Sequence, residues 1–270
     1  ANLSVFPVIS ARVEGVEIAN PEGFGDPLMI EAGSLRASIK ILPLLSQRVE
    51  IAQVTLDDAT VRLERLADGR VNWEFGPDQA PTDDTEPSEG SSGLETGIDR
   101  AKLSNTAVFY RDWTTDTQYA LTDFNATARL TAFDKPLTSS GDGLINGQAF
   151  DYRIRLETIA ALGAQEPVAL DLQLDTIYGD VSYEGSVTLG DEPIMDGAFD
   201  IRSDTLGQAL AILGDEDLPI IASALDSVRA EGTINGAVTN AALTFQQLTL
   251  AATGLDVDYT GSVQLGAVIT

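Results

Sequence analysis

The sequence contains neither cysteine nor histidine among its 270 residues. The absence of cysteine excludes disulfide bonds and thiolate nucleophiles, and the absence of both residue types removes the usual zinc ligands. The chain also lacks the imidazole that most often serves as a general base near neutral pH. Serine with lysine, paired carboxylates and all-oxygen metal sites remain open. We therefore expect a protein that is not an enzyme, with no catalytic residues, no metal and no cofactor.

Basic residues are also scarce: 16 Lys and Arg face 42 Asp and Glu, for a formal net charge of −26. Phosphate binding needs Lys and Arg clustered on one face, so no nucleic-acid partner is expected. The same charge repels an anionic membrane surface. Any membrane contact should therefore use apolar groups or a separate anchor.

Long apolar runs are missing as well. The segment from Ile39 to Leu45 is interrupted by Lys40 and Pro43, whereas about 18 consecutive apolar residues are needed to cross a bilayer. The sequence starts at Ala1 without an initiator methionine. We expect an N-terminal signal or anchor to precede it in the full-length protein.

Strict alternation of apolar and polar residues is the dominant pattern that is present. One face of each predicted strand is apolar and the other polar, which is typical of antiparallel sheets. The alternation changes phase at Gly15, between Ile51 and Val54, and between Phe245 and Leu248, where we predict β-bulges. The alternating apolar residues predicted to line a functional groove are Val168, Leu170, Leu172, Leu174, Val181, Tyr183, Val187 and Leu189.

A short internal repeat indicates that the sheet is extended by similar strands. The segment 183–190 (YEGSVTLG) matches 259–266 (YTGSVQLG) at six of eight positions. A weaker relative runs from Ala230 to Gly236. We therefore predict one sheet that grows strand by strand.

Only a few segments depart from this pattern. A helix is predicted at about 204–213, after a Ser203-Asp204 cap signal. A shorter helical segment around Ile220 to Leu225 and a turn at Pro43 to Leu45 are further candidates. Residues 76–97 are rich in acidic residues, proline and serine and have no basic residue, so a disordered loop is predicted there. The predicted organisation is a sheet segment over 1–75, this loop, and a continuation of the same sheet over 98–270.

Several motifs in order along the chain resemble the AsmA family. They include the Asn20-to-Phe24 turn, the segment 51–57, the Gly69-to-Trp73 strand end, the segment 109–112 and the segment 121–125. The resemblance implies a bacterial, periplasmic protein anchored in the inner membrane and similar to bridge-like lipid-transfer proteins. It also implies a role in outer-membrane lipid supply.

Pattern and resemblance together predict a mainly β fold: a long curved antiparallel sheet folded into a groove, with one or two short capping helices. The groove would hold phospholipid acyl chains, and other envelope proteins are possible partners. Two alternatives remain open. One is an envelope module with a closed core that binds no lipid, and the other is a hydrolase with a carboxylate pair such as Asp256 and Asp258, about 7 Å apart along one strand face.

Overall fold

The structure is a computed structural model that describes residues 8–44, 50–74, 98–190, 192–205, 225–237, 241–252 and 255–264. The described chain forms 13 strands and two short helices, which confirms the predicted mainly β fold class built on one long sheet. Each strand is hydrogen-bonded to its neighbours in chain order, from β1 to β13. The strands are β1 Val8–Ala19, β2 Leu28–Lys40, β3 Ile51–Arg65, β4 Ile98–Asp112, β5 Thr117–Leu130, β6 Leu137–Ile145, β7 Gln148–Leu156, β8 Val168–Thr176, β9 Gly179–Thr188, β10 Ile194–Ser203, β11 Leu225–Ala237, β12 Ala242–Ala252 and β13 Leu255–Gln264.

Both helices are single turns. Helix α1, Ile41–Leu44, lies where the sequence allowed a turn around Pro43, whereas α2, Ile159–Gly163, was not predicted. Five residues are too few to show a helical apolar period, so the pattern could not reveal α2. Three other predictions lie wholly or mostly outside the described residues. They are the helix at 204–213, of which only 204 and 205 are described, the helical segment at 220–225, of which only 225 is described, and the loop at 76–97.

Contacts divide the chain into two compact units. Unit 1 comprises residues 1–132 with 143–147, and unit 2 comprises 133–142 with 148–270.

In unit 1, the alternation seen in the sequence becomes rows of side chains that cross the strands. One row joins Ile9, Ile39, Ile51, Ile98 and Leu130 in direct cross-strand register. From β1 to β5, pairing is antiparallel except between β3 and β4, which run parallel. Antiparallel strands can be joined by a tight hairpin, but parallel ones need a long crossover, and the 32-residue connection 66–97 is long enough to supply it.

Two of the three predicted bulges are confirmed. The register of β3 against β2 shifts between Ile51 and Gln53, and that of β12 shifts between Phe245 and Leu248. At Gly15 the predicted inserted residue is absent, because Glu14 pairs with Ser34 and Val16 with Ala32. Gly15 therefore faces Gly33, and both strands change phase together without a shift of register.

The phase change at Gly15 continues across unit 1 as a line of left-handed residues. Gly15, Asp58, Asn105 and Asp123 have φ of 64°, 54°, 50° and 50°. Asn105 donates from Nδ2 to Asp58 Oδ1 at 2.7 Å, and its backbone N–H donates to Asn125 Oδ1 at 3.0 Å. Asp and Asn tolerate this conformation because their short polar side chains can hydrogen-bond locally.

Two of the sequence motifs, the turn at Asn20 and the segment from Gly69 to Trp73, meet in unit 1 around Asn72. The Asn72 side chain is 0% exposed. Its amide donates to Asn20 Oδ1 at 2.8 Å and to the Arg62 carbonyl at 2.7 Å, and its Oδ1 accepts from the Glu64 N–H at 2.9 Å. This one side chain therefore ties the turn after β1 to the edge of β3.

Candidate functional site

Seven of the eight predicted groove residues lie together on one face of β8 and β9. Val168 faces Val187, Leu172 faces Tyr183 and Leu174 faces Val181 in antiparallel register, while Leu170 faces Gly185. Directly opposed residues of an antiparallel pair project from the same face of the sheet. Leu189 falls one residue beyond the end of β9 and is 45% exposed. It is therefore not part of this register.

The same face continues across the other strands of unit 2. We call it the apolar face, and define it by three cross-strand rows. The first row is Tyr152, Leu174, Val181, Ile201, Ala230, Leu248 and Tyr259; the second is Ile154, Leu172, Tyr183, Phe199, Gly232, Phe245 and Gly261; the third is Leu156, Leu170, Gly185, Gly197, Ile234, Leu243 and Val263.

The predicted set therefore identified two strands of a face that spans seven, from β7 to β13. The residues that it missed include Phe199, Phe245 and Tyr259, whose rings pack in edge-to-face pairs with centroids 5.8 and 6.2 Å apart. The alternation that marked β8 and β9 also runs through β7, so extending the period-two count would have added Tyr152, Ile154 and Leu156 to the predicted set. The bulge in β12 shifts the phase and hides the same pattern there.

The opposite face of the same strands is polar. One of its rows is Arg153, Gln173, Ser182, Asp200, Glu231 and Gln247. Asp258 also lies on it, opposite Thr249, whose hydroxyl donates to the Asp258 carboxylate at 2.8 Å. Asp256, two residues earlier on β13, shares this face. Each strand thus separates apolar from charged side chains as the sequence predicted.

Paired glycines interrupt the third row. A Cβ on Gly185 would lie 2.5 Å from the Cα of Gly197 on the adjacent strand and 2.6 Å from the Tyr183 hydroxyl. The ring of Tyr183 therefore fills the space that two side chains would otherwise need. Its hydroxyl donates to the Ser186 carbonyl at 2.8 Å, and burial raises the pKa of Tyr183, so the hydroxyl stays neutral and able to donate.

Most side chains of the apolar face are only half-buried. Tyr183 is 5% exposed, and Val168, which lies next to the third row on the same face, is 1% exposed. In contrast, Leu170, Leu172 and Leu174 retain contact with solvent. Among the described strands of unit 2, the apolar face therefore keeps part of its surface accessible to solvent.

Unit 1 contains a cleft of about 540 Å³ that is lined by aromatic side chains as well as by charged and polar ones. Its charged side chains already have partners in the protein. Arg62 pairs with Glu31 at 2.6 Å and Arg111 with Asp116 at 3.1 Å, while the Trp113 indole donates to Glu64 at 2.6 Å. These pairs engage the charged side chains of the cleft, while Arg111 Nε is buried without a hydrogen-bond partner among the described residues, and these contacts alone assign no ligand to the cleft.

The described residues contain no cluster of three or more acidic side chains arranged to hold a metal ion. No helix among them is both long enough and apolar enough to cross a bilayer.

Comparison with known proteins adds one finding. The sequence model of the AsmA family matches residues 1–162, which is more than half of the chain. No curated protein and no solved structure matches the sequence.

Proposed function

Because the chain belongs to the AsmA family, we propose that it binds lipid through acyl chains laid on the apolar face of unit 2. In this proposal it acts in the bacterial periplasm, held at the inner membrane by an anchor outside this sequence, and contributes lipid to outer-membrane biogenesis. Phospholipid is the proposed ligand. The protein itself would perform no chemical reaction.

One observation carries the proposal: seven consecutive strands present apolar side chains on one face, and those side chains are half-buried. A sheet face of this kind must be covered to be stable in water. Moving an acyl chain of about 16 methylenes into water costs on the order of 13 kcal/mol, at about 0.8 kcal/mol for each methylene. Contact with the apolar face would remove much of that cost.

The distribution of charge supports tail binding over headgroup binding. The charged side chains of β7 to β10 lie on the opposite face, so a headgroup near the apolar face would remain in solvent. We therefore expect weak selectivity among headgroups and a clear dependence on acyl-chain length. Neutral, zwitterionic and anionic phospholipids with the same tails should bind with similar affinity.

Native mass spectrometry of the protein purified from a bacterial envelope, followed by lipid extraction, tests whether lipid is bound. Phospholipid at about one or more molecules per chain would support the proposal. A lipid-free protein that also takes up no fluorescent acyl probe would contradict it, and would favour an envelope module that binds no lipid.

A pair of variants on β8 tests the assignment to one face. Leu172→Asp places a carboxylate in the second apolar row, whereas Gln173→Asp places the same group one residue later on the polar face. Because a buried charge is costly and a solvated one is not, we expect acyl-probe affinity to fall at least about tenfold in the first variant and to stay unchanged in the second. Equal affinity of the two folded variants would remove β8 from the site.

A further inference from the structure

The cleft of unit 1 lies on a polar face of the sheet, and two exposed aromatic rings stand on that face. Arg62 of β3 is in register with Phe109 of β4, and Glu64 is in register with Arg111. Residues in register on paired strands project from the same face of the sheet. Phe109 and the adjacent Trp113 are nevertheless 41% and 47% exposed. Exposed rings among charged side chains need a reason other than core packing.

The Trp113 ring is held in place from two sides. Its indole N–H donates to Glu64 Oε1 at 2.6 Å, and the other oxygen of Glu64 accepts from the Gly25 N–H at 3.0 Å. The Arg111 guanidinium stacks on the ring with Cζ 3.8 Å from the centroid, and Asp116 pairs with the same guanidinium at 3.1 Å. The ring is thus fixed by its neighbours before any ligand arrives, which lowers the entropy lost on binding.

Arg111 gives up a hydrogen bond to stay in this position. Its Nε is buried and has no hydrogen-bond partner within the described parts of the chain. A buried N–H without a partner destabilises the fold. Proteins depart from this rule mainly at functional sites, so the arrangement indicates a role for the Arg111 and Trp113 pair beyond stability.

The chemistry of the cleft disfavours several classes of ligand. An acyl chain would desolvate the Arg62 and Glu64 side chains, a cost that apolar contact does not offset. A polyanion would meet guanidinium groups that carboxylates already neutralise, because Arg62 pairs with Glu31 and Arg111 with Asp116. What remains is a neutral ligand with both an apolar and a hydroxylated surface.

A pyranose sugar has both surfaces. One side of its ring carries C–H groups that pack on aromatic faces, and its rim carries hydroxyls that donate and accept hydrogen bonds. Carboxylates accept from hydroxyls and guanidinium groups donate to them, while an amide does both. The exposed amide of Gln118 lies opposite Arg111. The cleft volume of about 540 Å³ also lies within the range of about 300 to 1,000 Å³ that is typical of small-molecule sites.

We propose that the cleft of unit 1 binds neutral sugar units, either of a free glycan or of a glycolipid headgroup. The sugars would stack on Phe109 and on the exposed part of the Trp113 ring. Glu64, Arg111 and Gln118 would form hydrogen bonds with their hydroxyls. The two rings are separated by about 13 Å of extended chain, so an oligosaccharide is needed to contact both. This inference does not rest on the lipid binding proposed for unit 2.

Tryptophan fluorescence can report the binding, because the sequence has two tryptophans, Trp73 and Trp113. A Trp73→Phe protein keeps a ring beside Tyr110 and leaves Trp113 as the single reporter. It is titrated with maltotriose, with the trimer of N-acetylglucosamine, and with phosphatidylcholine vesicles that do or do not contain digalactosyldiacylglycerol. We expect a saturable change in Trp113 emission with a Kd of about 1 mM or lower for at least one sugar probe, and none with plain vesicles.

Matched variants in the Trp73→Phe background test the residues of the cleft. Phe109→Ala removes one ring of the cleft, whereas Phe133→Ala removes a ring of similar exposure, 45%, from unit 2. We expect sugar affinity to fall at least about tenfold in the first variant and to stay unchanged in the second. Gln118→Ala changes an exposed position and should weaken binding at least about threefold without affecting the fold. Circular dichroism checks that each variant is folded.

The proposal is overturned if no sugar probe gives a saturable response at up to about 10 mM sugar. Equal affinities of folded Phe109→Ala and Phe133→Ala would overturn it as well. A response to the trisaccharides supports a free glycan as the ligand, and a response to the glycolipid vesicles alone supports a headgroup. Leu172→Asp should bind sugar as wild type does, so the sugar site and the proposed lipid site can fail separately.

Discussion

At the scale of single residues, Asn72 shows how a buried polar group can hold a turn against a strand. Its amide satisfies three partners: the Asn20 side chain, the Arg62 carbonyl and the Glu64 N–H. An apolar residue of the same size could not replace it, because all three groups would lose their hydrogen bonds.

We predict that Asn72→Ala lowers the free energy of unfolding of unit 1 by about 2 to 4 kcal/mol, since it leaves three polar groups without their partner. Urea denaturation measures the change. Gln118→Ala removes an exposed side-chain amide from the same unit and should change stability by less than about 0.5 kcal/mol. Similar losses in the two variants would show that burial of Asn72 is not the source of its effect.

Asp112 is a second residue whose surroundings predict a measurable property. Its carboxylate accepts hydrogen bonds from the Thr114 hydroxyl and the Thr114 N–H, and it lies 3.7 Å from the Arg65 guanidinium. The Thr114 hydroxyl, followed by the Thr114 N–H, the Tyr110 hydroxyl and Arg65, lowers the pKa of Asp112 in the folded protein. Folding is thereby favoured while the carboxylate is ionised.

Because this pKa is lower in the folded state, the stabilisation is complete above the unfolded value of about 3.9 and is lost as the pH falls through the folded value. We therefore predict that wild type is more stable than Asp112→Asn at about pH 6 and that the difference shrinks at about pH 3. Urea denaturation of both proteins at the two pH values measures it. The other acidic groups are the same in both proteins, so their contributions to the pH dependence cancel in the comparison. A stability difference that is constant with pH would contradict the assignment of this pH dependence to Asp112.

At the scale of elements, the contact between β9 and β10 depends on two glycines and the tyrosine above them. Gly185 and Gly197 let the strands pair while Tyr183 crosses over the gap. This arrangement replaces two small side chains with one large ring on the apolar face.

We predict that Gly185→Ala destabilises unit 2 by about 2 kcal/mol or more, because its Cβ has no space and the strands must separate or the tyrosine must move. Gly190→Ala is the matched control, since no atom lies within 4 Å of its added Cβ. Thermal unfolding compares the two. An unchanged melting temperature for Gly185→Ala would contradict the prediction, because the backbone of β10 at Asp196 and Gly197 would then make room for the Cβ at no cost.

At the scale of the whole molecule, net charge dominates. With 42 acidic and 16 basic residues, the folded chain brings many like charges closer together than the unfolded chain does. The ion pairs of the described residues, such as Lys40 with Asp99 at 2.6 Å, neutralise only a minority of the acidic side chains. The remaining repulsion should depend on salt.

We predict that raising NaCl from about 10 mM to about 500 mM increases the melting temperature by several degrees, since the screening length falls from about 30 Å to less than 10 Å. Differential scanning calorimetry at constant pH measures it. A melting temperature that falls with added NaCl would mean that local ion pairs outweigh the general repulsion.

Much of the fold could be predicted from the sequence, because a period of two reports directly which residues share a sheet face. That period located β8 and β9, and its phase changes located the bulges at Ile51 to Gln53 and at Phe245 to Leu248. It could not distinguish an inserted residue from two facing phase changes, as at Gly15 and Gly33. That distinction depends on the partner strand.

For the candidate site, the sequence by itself determined which residues of each strand are apolar on one face, that no cysteine or histidine chemistry is possible, and that two strands repeat a Tyr-x-Gly-Ser motif. Only the tertiary structure decided that the apolar residues of seven strands align in rows, that β3 and β4 run parallel, and that Gly185 faces Gly197. The physical reason is that alternation is a property of one strand, whereas register, direction and close approach are set by hydrogen bonds and packing between strands distant in sequence.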